Sequence, residues 1–270
     1  MRMRIAITGA VIGTTAGITV GRAVRWWRTW GVDPIEAATS LPGDDLVPTP
    51  TAIETRGITI DAPPEAVWPW LVQMGFGRAG WYSYDRLDMR GRSADLIVPE
   101  WQATGPGDIM PTSPDGGFVV RVVEPGRVLA LYLDTALVES QAAAAASSTR
   151  ADTPPGLAAS GAFLRQTPQD FAAAWIFVLE PLEGGRTRLI ERFRVRFGAS
   201  GPAFRVVAPV MGFGVFVMMQ RQMLGIRARA RRTAVAPPLP ASTERAPRPD
   251  ANGHPAVELE STDLVVAAPI

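Results

Sequence analysis

The hydrophobic pattern changes period several times along this chain, and the changes mark out its elements. Residues 57–60, Gly-Ile-Thr-Ile, alternate and are β-branched, as a strand with one buried face requires, and the pattern extends back to Ala52. Asp61 is placed to cap a helix, Pro63 and Pro64 suit its entry, and Glu65 falls in its first turn, where the dipole favours an acid. Val67, Trp70, Leu71 and Met74 then share one helical face, which predicts a helix over 63–74. Gly75, Gly77 and Gly80 separate it from a second short helix over 82–89. Candidate strands follow at 108–112, 117–124, 127–133, 171–180 and 186–197, the last two joined by the turn Leu-Glu-Gly-Gly. A long final helix is expected over 203–232. Pro209 implies a break or kink in it, and its apolar run 206–219 packs amphipathically on the sheet or forms a second membrane helix.

The ends and one internal stretch read differently. Residues 5–21 carry no charge and are bracketed by Arg2, Arg4, Arg22, Arg25 and Arg28. At about 1.5 Å per residue the run just spans a hydrocarbon core of about 30 Å. Gly9, Gly13, Gly17 and Gly21 recur every four residues on one helical face, a stripe that permits close helix–helix approach in lipid and hence self-association. Trp26, Trp27 and Trp30 with Arg25 and Arg28 form an interfacial belt. Residues 1–32 are therefore expected to be a membrane anchor of open orientation, with a cleaved signal peptide or a surface-lying terminus as alternatives. Beyond the anchor the expected organisation is a linker over 33–51, a domain over 52–232 with a low-complexity, mobile insertion at about 135–170, and a disordered Pro/Ala-rich tail over 233–270. The insertion is either a lid over a cavity mouth or a neutral loop expansion.

Composition narrows the chemistry. The chain of 270 residues is 47% hydrophobic with a net charge of +1, enough for one full core and too weakly charged to favour nucleic acid. Every basic residue is arginine, cysteine is absent, and the sole histidine, His254, lies in the tail. That removes a Schiff-base lysine, a thiolate nucleophile, a Ser-His-Asp triad in the folded core and a Cys/His zinc cage. No metal and no cofactor is expected. The glycines of Ile-Thr-Gly-Ala-Val-Ile-Gly-Thr-Thr-Ala-Gly do not make a dinucleotide loop, because Thr15 stands where a glycine is required and no strand–helix repeat succeeds it.

Residues 57–85, together with Pro-Glu-Trp-Gln-Ala-Thr-Gly-Pro-Gly-Asp-Ile-Met, Val-Val-Glu-Pro-Gly-Arg-Val-Leu-Ala-Leu-Tyr-Leu and the stretch 174–197, resemble the START-like helix-grip superfamily. The likeness is greatest to the bacterial polyketide cyclase/dehydrase-like SRPBCC group and runs from about Leu41 to Arg232. It implies an α+β helix-grip fold: a curved antiparallel sheet wrapped around a long C-terminal helix, with two short helices after the first strand. That superfamily spans lipid carriers, ligand sensors, cyclases and chaperone cofactors, so the resemblance implies a cavity and names no substrate.

Strict alternation along 186–197 supplies the sharpest candidate. It puts Arg186, Arg188, Arg192, Arg194 and Arg196 on one side and leaves Glu191 among Leu189, Phe193, Val195 and Phe197 on the inner one. A buried carboxylate must be paired, with an inward arginine such as Arg121, or raised in pKa, or open to a wet cavity. Trp81, Tyr82, Tyr84 and Asp85, with Glu100 and Trp101, form a second cluster, and Trp175 and Phe177 take the inward phase of their strand. The expected function is non-catalytic binding of an apolar small molecule or lipid, at a membrane. Glu191, Asp85 or a tyrosine acting as acid/base in a cyclase or dehydratase is the rival, and a membrane-protein interaction module is a third possibility.

Overall fold

A computed structural model describes residues 21–88, 91–146, 170–198 and 202–235. Its elements, in chain order, are α1 (Pro34–Ala38), a 3₁₀ turn Asp44–Leu46, β1 (Ala52–Ile60), α2 (Pro64–Val72), α3 (Asp85–Asp88), a 3₁₀ turn Pro99–Trp101, β2 (Ile109–Ser113), β3 (Gly116–Glu124), β4 (Val128–Asp134), α4 (Thr135–Ala146), β5 (Phe171–Leu182), β6 (Arg186–Phe197) and α5 (Pro202–Val235). The strands form one curved, open antiparallel sheet in the order β1-β6-β5-β4-β3-β2. With α2 and the long α5 against its inner face, this is the α+β helix-grip arrangement. The expected strands fall within two residues of those observed, and α5 runs as one helix through Pro209.

Alternation sorts each strand between two cores. Ile58, Ile60, Phe118, Val120, Leu129, Leu131, Trp175, Phe177 and Leu189 face inward, where they meet α2 and the α5 seam Met219, Met223, Ile226 and Ala230. The spacing of that seam keeps one helical face on the sheet. Ala130, Ala174, Ile176, Val178 and Ile190 face outward, against Leu41 and Val47.

The outer face is covered by the segment that the sequence marks as a linker. Asp33 caps α1 in a capping box with Glu36, and the outward arginines of β6 hold the segment from α1 to Val47 against the sheet. Arg188 Nε donates to Glu36 Oε1 at 2.7 Å, a bond that lowers the Glu36 pKa. Buried Arg192 donates to Asp44 Oδ2 at 2.7 Å and to the carbonyls of Thr39 and Ala37 at 2.8 and 3.0 Å. Arg194 Nη2 donates to the Val47 carbonyl at 3.0 Å. One segment thus covers apolar surface and engages three strand arginines through two carboxylates and several carbonyls, while the Gly57 N–H on the edge strand donates to the Trp30 carbonyl. Gly31, in left-handed backbone, lies so near that edge that a Cβ there would meet the Gly57 carbonyl oxygen at 2.1 Å.

Three expectations change. Asp61 does not cap α2: Pro63 occupies the cap position without a side-chain bond, and Asp61, two residues earlier, pairs with Arg231 of α5 at 2.9 Å. Arg121 does not turn inward. A bulge between Val120 and Val122 leaves it without a strand partner, exposed, with its guanidinium over the Tyr132 ring at 5.5 Å. Within the insertion, Thr135–Ala146 is helical, and Gln141 bonds both the N–H and the carbonyl of Gly117. Residues 147–169, the tail beyond 235, and Gly9, Gly13 and Gly17 lie outside the described residues. Among the described residues no helix is long and apolar enough to cross a membrane. Residues 21–28 are helical. There Trp26 meets Phe216 and Trp27 meets Phe213 of α5, both at 5.4 Å between ring centroids.

Candidate functional site

Two adjacent strands carry a polar centre into this apolar interior. Antiparallel pairing sets Glu191 of β6 opposite Arg56 of β1, and Phe193 opposite Glu54, so period two places all four on the inner face. Glu191 is 0% exposed. Trp175 on β5 donates its indole Nε1–H to Glu191 Oε1 at 2.7 Å. The other carboxylate oxygen, Oε2, is buried with no hydrogen-bond partner among the described residues. Burial pushes the Glu191 pKa up to about 7, against the opposing pull of the Arg56 charge and the indole bond; the Glu54 charge adds to the rise.

Arg56 is fully buried and already engaged. Its guanidinium pairs with Glu54, Nε donates to the Trp27 carbonyl at 3.2 Å, Nη1 contacts Met219 Sδ at 2.9 Å, and the group lies 5.5 Å from the Phe216 ring centroid. The buried inner-face charges are thus two carboxylates and one guanidinium. Arg56 is committed to Glu54, and Glu191 is left with an indole.

Aromatic rings wall this centre. Trp81 stacks on Trp175 at 5.3 Å and 22°. Phe177 lies 5.2 Å from Trp175, while Phe118 and Phe193 stand edge-on to it at 5.7 and 6.4 Å. Phe177, Leu129 and Leu131 are sealed, whereas Trp81 and Trp175 keep 7% exposure, Phe118 keeps 8%, and Phe193 is half-buried. The rings of this wall that are not fully sealed are therefore Trp81, Phe118, Trp175 and Phe193, and Trp175 is the one bonded to Glu191.

The structure brings together Trp81, Trp175, Phe177, Glu191 and Phe193, and it sends the other sequence candidates elsewhere. Left-handed backbone at Tyr82 (φ 57°) separates that ring from its neighbour Trp81. The Tyr82 hydroxyl accepts from Gln73 Nε2 at 2.9 Å, and its ring lies under Arg229 at 4.6 Å. Asp85 is taken up by Ser93, whose Oγ and backbone N donate to its two oxygens at 2.5 and 3.0 Å. Tyr84 is exposed. Trp101 lies under the Arg78 guanidinium at 4.8 Å, and Arg121 sits on the opposite face of the sheet. Glu54 and Arg56 are site residues that the sequence reading misses. Yet Glu54, Arg56, Ile58 and Ile60 share one phase of β1, and extending the alternation back from its two isoleucines reveals both.

This arrangement can accept or donate one hydrogen bond at Glu191 Oε2, within a wall of aromatic rings. Among the described residues no group of three His, Cys, Asp or Glu could hold a metal ion.

No family model matches the chain, and no curated protein matches it. Solved structures do. A protein from Mesorhizobium loti is 17% identical with a TM-score of 0.33, over 66% of this chain and 98% of that one. A hypothetical protein from Helicobacter pylori is 10% identical with a TM-score of 0.40, over 72% and 96%. The di-domain ARO/CYC BexL from the BE-7585A biosynthetic pathway is 17% identical with a TM-score of 0.32, over 72% of this chain and 54% of that one. Scores this low carry no inference about what this chain binds.

Proposed function

We propose that this domain binds an apolar small molecule or lipid between the inner face of its sheet and α5, that binding rather than turnover is its task, and that it works beside a membrane. One observation carries the reading: Glu191 is wholly buried in a wall of aromatic rings with one carboxylate oxygen left unpartnered. Interiors seldom leave such a group unsatisfied without a ligand or water to meet it. Membrane proximity is supported by Trp26, which is 56% exposed, by the exposed Phe213 and Val215 beside it, and by Arg22, Arg25 and Arg28 in a stretch free of acids.

A second reading, acid–base catalysis, is favoured by the Glu191 pKa, which burial brings to about 7, where a carboxyl can both give and take a proton. Extraction and mass spectrometry of the protein purified from native membranes separates the two. A retained apolar compound recovered unchanged supports binding. Conversion of that compound by the wild type, with loss of conversion and retention of binding in Glu191→Gln, replaces binding by catalysis. Recovery of the full chain wholly in the supernatant after membranes are pelleted overturns the tether.

A further inference from the structure

The charges around Glu191 bear on which ligands the interior accepts, provided the interior binds one. Two buried carboxylates, Glu54 and Glu191, face one buried guanidinium, Arg56. Each guanidinium nitrogen of Arg56 is already in contact with a protein group, Nη2 with Glu54, Nε with the Trp27 carbonyl and Nη1 with Met219, and its charge is paired with Glu54. Among the described residues, the polar-centre atom with no hydrogen bond is Glu191 Oε2, and it belongs to an acid.

With Glu191 ionised, an anionic head placed there would meet a carboxylate at close range in a dry site, while the Arg56 charge is paired with Glu54. Such like-charge contacts are costly. A hydroxyl or ammonium head would instead donate to Oε2, satisfying the orphaned atom and, in the case of ammonium, balancing the second negative charge. The body behind that head would lie along Trp81, Phe118, Trp175 and Phe193, the rings of the wall that are not fully sealed.

We infer that the site selects apolar molecules carrying a hydrogen-bond-donor head, an alcohol, phenol or amine, and rejects the corresponding carboxylates such as free fatty acids. This rests on the binding reading above and sharpens it. Selectivity of this kind comes as much from the unpaired charge that repels the wrong head as from the bond to the right one.

The test is calorimetric titration, at about pH 8.5 where Glu191 is ionised, of the full chain in mild detergent with three probes that share a naphthyl body: 2-naphthylmethanol, 2-naphthylmethylamine and 2-naphthoate. The alcohol and the amine are expected to bind at least about tenfold more tightly than the acid, the scale of one charge-assisted hydrogen bond. In Glu191→Gln the advantage of the amine over the acid should fall by about tenfold or more. Glu54→Gln serves as a second variant: it frees Arg56 and should raise affinity for 2-naphthoate. Equal binding of all three probes to the wild type overturns the head-group inference while leaving apolar binding intact, as does unchanged selectivity in both variants. Tighter binding of the acid likewise overturns it. Failure of all three probes and of naphthalene itself removes the binding reading, and the inference with it.

Discussion

Glu191 should make the stability of this domain fall as pH rises through neutrality, and Glu191→Gln should remove that dependence. Folding takes the carboxyl from its ordinary 4.5 to about 7, so between those values the folded state holds a proton that the unfolded chain has lost. Stability attributable to the group is therefore full below about 4.5 and lost as pH rises toward 7. At about 1.36 kcal/mol per pH unit the full loss is about 3 kcal/mol, and most of it falls between about pH 5 and about pH 8. The groups facing Glu191 are Arg56 and Glu54 from β1 and the Trp175 indole from β5; with Arg56 committed to Glu54, neither cancels the burial cost. Gln keeps an acceptor for the indole and carries no charge at any pH. The two proteins should thus have similar denaturation midpoints near pH 5, while at about pH 8 the variant should be more stable by roughly 2 to 3 kcal/mol. Urea unfolding of ligand-free protein across that range measures it. A wild-type minus variant difference that does not change with pH would show that Glu191 is not held protonated by burial, and a difference of opposite sign would show a strong ion pair in its place.

Three further substitutions probe the same geometry. Trp175→Phe removes the donor to Glu191 Oε1 and should move the pH midpoint of that stability loss up by about one to two units, the size of one hydrogen bond to a charge; an unmoved midpoint would mean the indole bond is not made. Arg192→Met strips the guanidinium from Asp44 and from the carbonyls of Ala37 and Thr39. It should cost about 3 to 5 kcal/mol and speed amide exchange in residues 36–47, whereas slow exchange there would show that apolar contacts alone hold the segment. Gly225→Ala would put a Cβ 2.3 Å from the Tyr82 carbonyl oxygen, forcing α5 off the loop at a cost of about 1 to 3 kcal/mol, read as a lower thermal midpoint.

Legibility in the sequence tracks the range over which each signal acts. Strands β3 to β6 and the start of α2 are legible because a two-residue period and paired prolines are local signals, and Glu191 is legible for the same reason. Its surroundings are not. Arg121, expected as an inward partner, follows inward-facing Val120, so alternation itself turns it outward, and the bulge that pairs Val120 and Val122 past it leaves it there. Asp85 has the chemistry of an acid catalyst, but Ser93, eight residues on, occupies both its oxygens, and no spacing rule anticipates that bond. The covering of the outer face lies between these cases. Turn-forming residues over 33–51 suggest a linker, yet Asp33 and Glu36 have the spacing of a capping box. The arginines of β6 also need acids and carbonyls from somewhere.

The two faces of β6 are mechanically one object, and this links the outer clamp to the inner site. Residues 188, 192 and 194 are fixed through Glu36, Asp44 and Val47, while residue 191, between them on the same backbone, carries the unpartnered carboxylate. On its other edge β6 pairs with β5 along its whole length, which holds Trp175 diagonal to Glu191. A strand held on its outer face and along both edges keeps the backbone of residue 191 fixed opposite Arg56. Rigid support of this kind is what keeps a costly buried group in place. The arginine row, which as a sequence feature looks like a solvated face, therefore supports the interior site by fixing the strand that carries Glu191.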